Sequence, residues 1–256
     1  MKSIALSSCS KPPLLRVPVA PLREGVLQLD KSTSHYLIDV HRLAEGSQFL
    51  AFDADASTQA QATLLDANSR GVTCRVGVVE ASSLVPKHRT VVLQGFGKGT
   101  RVDQVVRDAT ALDATEIWIV STLHSAVPNP TEMLGRCERW RRVALDSARQ
   151  CKRGNVPRIE GVVSLREALH ELVDFPGIRC VLSPGADLTL LDALIVGQVE
   201  NVALLVGPEG GLDPSELELS AELGFKQVRL GSRVFRTEMA TVVSLGVIAA
   251  LRDKSS

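Results

Sequence analysis

The period of the hydrophobic pattern changes near residue 86, and that change commits the chain to two differently built halves. From Glu24 to Glu80, short runs alternate apolar and polar residues: Gly25–Asp30, Gln48–Asp53, Ala60–Leu65 and Gly71–Glu80. Turn residues such as Asp53-Ala-Asp55 and Asn68-Ser-Arg-Gly71 separate them. Successive side chains of a strand point to opposite faces, so this pattern predicts a small antiparallel sheet or barrel. One helix is expected within it, Ser34–Leu43, capped by Ser32, Thr33 or Ser34 and stopped by Gly46. Ser82–Pro86 reads as the linker.

Beyond the linker, apolar strands alternate with helices. Strands are expected at Thr90–Leu93, Glu116–Val120, Ile178–Leu182, Val202–Val206 and Phe225–Leu230. Helices are expected at Thr100–Leu112, Pro130–Cys151, Ser164–Val173, Pro214–Leu223 and Glu238–Arg252. Continuous apolar strands between helices predict a mostly parallel α/β sheet covered on both faces. The expected domains are therefore 1–86 and 87–256.

Composition narrows the function classes. The chain has 256 residues and 45% apolar content, enough for one or two cores and too apolar for a disordered tail. With only 4% aromatic residues, broad stacking platforms for single strands are excluded as the main design. Lys plus Arg and Asp plus Glu both total 29, so any nucleic-acid affinity must come from local charge. Five scattered cysteines without a C-x-x-C pair point to reduced thiols, a cytoplasmic location and no metal site. The longest apolar run, Val242–Leu251, has ten residues, short of the roughly 18 a membrane helix needs. Leu6-Ser-Ser-Cys9 resembles a lipoprotein processing site but lacks the apolar stretch before it.

Three loops follow late strands, where open parallel sheets bind ligands. Gly207-Pro-Glu-Gly-Gly211 directly follows Val202–Val206, and its glycines allow a tight turn with exposed backbone groups. Asp213-Pro-Ser-Glu216 then carries the signature of a capped helix start. After Leu230-Gly231, residues Arg233, Arg236 and Glu238 bracket the mouth of a helix apolar on nearly all sides, which predicts its burial. Taken singly, these features have structural readings: a strand-to-helix turn, Thr237 as N-cap, and Glu238 at the positive end of the helix dipole.

Together, Gly-Pro-Glu-Gly-Gly, a Glu-containing helix and Leu-Gly-x-Arg-Val-Phe-Arg-Thr-Glu-x-Ala resemble the C-terminal signature of the SPOUT methyltransferases. More narrowly they are similar to the RsmE-type enzymes, which methylate N3 of a uridine in small-subunit ribosomal RNA. Further likeness lies in His35-x4-Val40-His41-Arg42, Lys98-Gly99-x-Arg101-x-Asp103, Trp140, Gln150-Cys151-x-Arg153 and Val156-Pro157. The resemblance implies a parallel sheet with a C-terminal trefoil knot, preceded by a PUA-like β-barrel. It also implies a homodimer, ribosomal RNA as partner, and S-adenosylmethionine held in the knot loops. The cofactor set would be Leu182, Ser183, Pro184 and Gly185, then Val206, Gly207, Pro208, Glu209, Gly210 and Gly211. Leu230, Gly231, Val234, Phe235, Arg236, Thr237 and Ala240 would complete it.

For RNA, the resemblance implies Arg16, His35, Arg42, Arg101, Arg149, Gln150, Lys152 and Arg153. The local charge agrees. Between Arg136 and Arg158, eight basic residues face two acids, a surplus of six in a chain of zero net charge. Phosphate contacts dominate nucleic-acid affinity, so such a surplus suits an RNA track; the structural reading is a solvated helix face. The chain departs from the family at Asp108, Ala111, Leu123, His124 and Arg149, and at Met239 in the usual Glu-Thr-Ala. The cofactor loops are thus better kept than the RNA side, which leaves open a divergent paralogue acting elsewhere on RNA.

The implied chemistry is in-line transfer to a nucleobase nitrogen, with Arg236 or Arg153 stabilising charge on the ring carbonyls and Glu238 as proton acceptor. His124 is a weaker acceptor. Two other readings stand beside it. Gly95-Phe-Gly97-Lys-Gly99 follows a strand and suggests a dinucleotide fold, but position 100 is Thr100 where the third glycine belongs. Alternatively, the chain is an RNA-binding module without catalysis.

Overall fold

In the computed structural model, the described residues are 14–68, 71–97, 99–125, 130–196 and 199–255. Leu6–Cys9 and Lys98 therefore lie outside them. The chain divides into two compact units, Met1–Ser83 and Leu84–Ser256.

The first unit is built on strands β1 (Arg16–Pro18), β2 (Gly25–Gln28), β3 (Gln48–Asp53), β4 (Thr58–Asn68), β5 (Gly71–Val76) and β6 (Glu80–Ala81). Their order is β1-β3-β4-β5-β2, with β6 beside β4, and every pair is antiparallel except β1–β3. The alternation read from the sequence is the burial pattern: Ala60, Ala62 and Leu64 on β4 and Val72, Cys74 and Val76 on β5 all point inward. A slip by one residue would expose all six.

The helix of this unit starts earlier than the sequence suggested. It is α1 (Lys31–His35), continued by a π turn over Tyr36–Val40. Asp30 caps it, accepting from Thr33 N at 2.9 Å and Thr33 Oγ1 at 2.7 Å. Ser34 is not a cap, because its hydroxyl is used inside the unit, accepting from Val72 N at 3.0 Å.

The second unit holds a six-stranded sheet of order β12-β10-β11-β7-β8-β9, parallel throughout. Its strands are β7 (Thr90–Gly95), β8 (Glu116–Ser121), β9 (Arg158–Ser164), β10 (Ile178–Leu182), β11 (Val202–Val206) and β12 (Lys226–Val228). All residues of β7 and β11 are buried, as a sheet covered on both faces requires. One face packs against α2 (Arg101–Ala111), α3 (Pro130–Cys151), α5 (Leu190–Val196) and α7 (Thr237–Ser255), around Val106, Trp140, Leu194 and Leu245. The other packs against α4 (Leu165–Glu171) and α6 (Pro214–Glu222), around Leu169, Phe225 and Leu205.

Local chemistry sets the helix starts. Ser164 and Glu167 form a capping box at α4, as do Asp213 and Glu216 at α6, where Pro214 occupies the first turn. Helix α5 was missed in the sequence, although Thr189 and Asp192 carry its signal: Thr189 Oγ1 accepts from Asp192 N at 3.1 Å. Helix α7 is less buried than its composition implied. It buries one stripe, Ala240, Thr241, Ser244, Leu245 and Ile248, and leaves Met239 half exposed. Two of those buried positions are polar, so apolar composition all round a helix did not map onto burial all round. Among the described residues no helix is long and apolar enough to cross a membrane, and no His/Cys/Asp/Glu group is placed to hold a metal.

Candidate active site

The chain starts the sheet at β7, adds β8 and β9 on one side, and then returns to add β10 and β11 on the other. Strand order reverses between β7 and β11, which is where open α/β sheets form crevices at their C-terminal ends. A cavity of about 620 Å³ lies there, within the usual size for a small-molecule site. Its walls come from the loops after β10, β11 and β12 and from the first turn of α7.

Close backbone approach makes this geometry possible. A Cβ on Gly95 would sit 2.4 Å from Pro208 N, so only glycine lets β7 end against the β11 turn. Gly211 closes that turn at φ +75, a conformation that favours glycine. Hydrogen bonds then tie the loops together. Thr237 Oγ1 donates to Gly207 O at 2.6 Å and accepts from Gln94 Nε2 at 2.8 Å. Thr241 Oγ1 donates to Gln94 Oε1 at 2.7 Å. Gln94 is 1% exposed, so its amide needs these partners. The hydroxyl of Thr237 is thereby spent on the neighbouring loop, which displaces its expected role as N-cap.

Leu182, Val206, Leu212, Leu217, Val228, Leu230, Phe235 and Ala240 give the cavity an apolar wall. Arg101, Arg229, Arg233 and Arg236 and the carboxylates Glu209 and Glu238 stand on its polar side. Arg101 Nη1 lies 2.7 Å from Glu209 Oε1, and Arg101 Nε lies 3.9 Å from Glu238 Oε2. That Glu238 oxygen is buried and makes no hydrogen bond. From the β8–α3 connection, His124 Nδ1 meets Gly211 O at 3.2 Å and Leu123 N donates to Glu216 Oε1 at 2.8 Å. His124 thus braces the glycine turn directly, while the Leu123 backbone anchors the first turn of α6 behind it.

Of the expected cofactor residues, Leu182, Ser183, Pro184, Val206, Gly207, Pro208, Glu209, Gly211, Leu230, Gly231, Val234, Phe235, Arg236, Thr237 and Ala240 all line this one cavity. Gly185 is exposed off its wall, and Gly210 packs against His124, where a Cβ would come 3.1 Å from His124 Cβ. The sequence reading missed Gln94, Leu212, Leu217 and Arg229, and it placed Arg233 at the mouth of α7 without assigning it to the cofactor set. A buried polar residue at a strand end was the available signal for Gln94. The glycines of the dinucleotide-like run are used in packing: Gly95 against Pro208, and Gly97 with its Cβ position 3.0 Å from Glu209 Oε1.

The expected RNA residues scatter. Arg153 is 3% exposed; its Nη1 donates to Thr110 O at 3.0 Å and Ala114 O at 2.7 Å, and its Nε to Asn155 Oδ1 at 2.8 Å. Burial lowers its pKa to about 10, so it stays a cation, but it closes the end of α2 and is no surface or pocket residue. Arg16 is also buried, its guanidinium 4.6 Å from the Phe52 ring centre. Arg101 belongs to the cavity rim. Arg149 pairs with Asp146 at 3.2 Å. Gln150, Lys152 and Arg42 are exposed, and His35 is exposed with Nδ1 at 2.6 Å from Asp39 Oδ2. Of the basic run from Arg136 to Arg158 only Arg153, just beyond α3, is buried; the others are exposed or half-buried, and Arg233 and Arg236 put further exposed cations beside the cavity.

Comparison with known proteins agrees with this geometry. Ribosomal RNA small subunit methyltransferase E of Mycobacterium tuberculosis (strain CDC 1551 / Oshkosh) is 29% identical over 247 residues, covering 94% of this chain and 92% of that protein. The protein of the same name from Bacillus subtilis (strain 168) is 26% identical over 223 residues, covering 84% and 86%. The crystal structure of a ribosomal RNA small subunit methyltransferase E from Neisseria gonorrhoeae, bound to S-adenosyl methionine, superposes with a TM-score of 0.82 at 22% identity, covering 93% of this chain and 98% of that one. A family model described as an RNA methyltransferase domain matches residues 85–249, which include every residue of the cavity. The expected kinship with the RsmE-type enzymes holds, and the chain belongs to the RNA methyltransferase family.

Proposed function

We propose that the chain is an S-adenosylmethionine-dependent enzyme that methylates N3 of a uridine in ribosomal RNA of the small subunit. The observation that carries this is the cavity into which the three late loops converge, in a chain whose relatives are named as methyltransferases of small-subunit ribosomal RNA. The site fits a sulfonium nucleoside. Its apolar wall suits an adenine and a thioether chain, the glycine turns bring backbone N–H and C=O groups close, and two carboxylates face a cation.

When bound, that nucleoside supplies a methyl group already activated on positive sulfur. The residues of this chain do the positioning. The bonds among Gln94, Thr237, Thr241 and Gly207 hold the loops in register, which favours in-line alignment of donor and acceptor. Arg236, exposed at the rim, stabilises negative charge on the uridine carbonyls, and Glu238 accepts the N3 proton. Burial removes Arg153 from that role.

We further infer a PUA-like barrel for residues 1–86 as an accessory RNA-binding domain, and a catalytic domain over 87–256 with a trefoil knot at its C-terminal end. The knot rests on the resemblance of the late loops to the SPOUT signature. A homodimer through α7 is supported by the exposed apolar side chains Leu191, Ile195 and Val196 on α5 and Met239 on α7, two helices that pack together; a cytoplasmic location follows from the proposed ribosomal RNA substrate. Titration calorimetry with S-adenosylmethionine, followed by methyl transfer to small-subunit ribosomal RNA and mapping of the modified nucleotide, tests the whole reading. Absence of nucleoside uptake by folded protein overturns it. Transfer to another position identifies a divergent paralogue, and uptake without transfer an RNA-binding module.

A further inference from the structure

Among the described residues, one cation at the cavity rim reaches both of its carboxylates. Arg101 begins α2, outside the three glycine-turn loops, yet it lies 2.7 Å from Glu209 and 3.9 Å from Glu238. Glu209 belongs to the β11–α6 turn and Glu238 to the start of α7, so one guanidinium joins two walls to a third element. Arg229, Arg233 and Arg236 make no ion pair among the described residues. The Arg101 side chain is 41% exposed, so it faces the cavity on one side and solvent on the other.

We propose that Arg101 makes RNA affinity depend on the charge of the nucleoside in the cavity, so that the enzyme holds RNA more tightly before methyl transfer than after it. The inference rests on the function proposed above. The donor carries a positive sulfur and the product a neutral one. In the transfer the carbon–sulfur bond breaks with its electron pair left on sulfur, the carbon–nitrogen bond forms, and the N3 proton passes by way of Glu238 to solvent, which leaves Glu238 ionised again. With a cationic nucleoside present, Glu209 and Glu238 divide their charge between it and Arg101, and the guanidinium can pair with an RNA phosphate. With the neutral product, both carboxylates hold Arg101, and a phosphate must compete with them. Coupling is reciprocal, so RNA tightens binding of the cationic nucleoside by the same factor.

The test uses the full chain, in vitro-transcribed small-subunit ribosomal RNA, and two non-reacting nucleosides. Sinefungin carries an amine cation in place of the methylsulfonium; S-adenosylhomocysteine carries the neutral thioether. Calorimetry first establishes that both bind. RNA is then expected to bind about fivefold tighter with sinefungin than with S-adenosylhomocysteine, the lower end of typical coupling. Arg101→Gln should bring that ratio to one, and Arg101→Lys should retain most of it. Equal RNA affinity in the unaltered protein, or an undiminished ratio in Arg101→Gln, overturns the role of Arg101 and leaves the proposed function standing. If neither nucleoside binds, the proposed function falls, and this inference with it.

Discussion

Thr237 Oγ1 donates to the carbonyl of Gly207 across 30 residues of sequence, at 2.6 Å, and thereby fixes the distance between two walls of the cavity. Thr237→Val keeps the shape and removes the bond, leaving the half-buried Gly207 O and the buried Gln94 amide each one partner short. A cost of about 1–3 kcal/mol is expected. Calorimetric unfolding should show it, and nucleoside affinity should fall with it. Thr237→Ser should restore both; a Val variant of unchanged stability and affinity would show that the bond does not set the cavity.

Gly95→Ala is a steric test of the same region. The added methyl would lie 2.4 Å from the Pro208 backbone nitrogen, which cannot swing aside as a side chain can. A destabilisation of about 1–3 kcal/mol is expected from overpacking. Gly99→Ala serves as the control for space: its Cβ meets nothing within 4 Å, although φ +67 adds local strain. The measurement is the denaturation midpoint of each variant.

Arg236→Ala separates chemistry from folding. The residue is exposed, so stability should change by no more than about 0.5 kcal/mol. Loss of a donor at developing charge should lower kcat by about a hundredfold. Full methyl transfer by this variant removes Arg236 from the mechanism.

Arg153→Met and Arg233→Ala should behave oppositely. The first removes donors from two backbone carbonyls in the interior and should lower the melting temperature. The second lies on the surface beside the cavity and should leave melting unchanged while reducing the salt dependence of RNA binding by about one phosphate contact.

Acid should uncover the helix caps. The Ser215 hydroxyl and backbone N–H hold Asp213 below its ordinary value of 3.8, and the Ser164 hydroxyl and N–H hold Glu167 below 4.5. A carboxylate with a lowered folded pKa contributes stability that is present above its unfolded value and lost as pH falls through the folded one. Asp213→Ala and Glu167→Ala should therefore differ from the unaltered protein at pH 7 and converge with it as pH drops below about 4. A stability gap independent of pH would show that the charge of the caps is irrelevant.

Much of this architecture was readable because it follows local rules. Strands β3, β10 and β11 and helix α3 match their expected bounds, since each is an apolar run or a long helical pattern between clear breakers. The α6 start was legible from Asp213, Pro214 and Glu216 alone. What escaped was non-local. Arg153 carries the same charge as an RNA-binding arginine, and only the fold shows the carbonyls of Thr110 and Ala114 waiting for it. Gln94 has no motif; its importance arises from Thr237 and Thr241 arriving from the far end of the unit. The late signature identified the cavity together with Arg233 and Arg236; that Arg101, far away in sequence, joins the same rim is visible only in the fold.

The bond from Gln94 to Thr237 spans 143 residues. A nascent chain can finish β7 early, yet the amide at its end stays without its native partners until the beginning of α7 has been synthesised. Such distant closure favours slow, late maturation. Because Thr237, Glu238 and Ala240 also line the cavity, a chain that stops before Thr237 is expected to bind no methyl donor, which calorimetry on such a truncation checks.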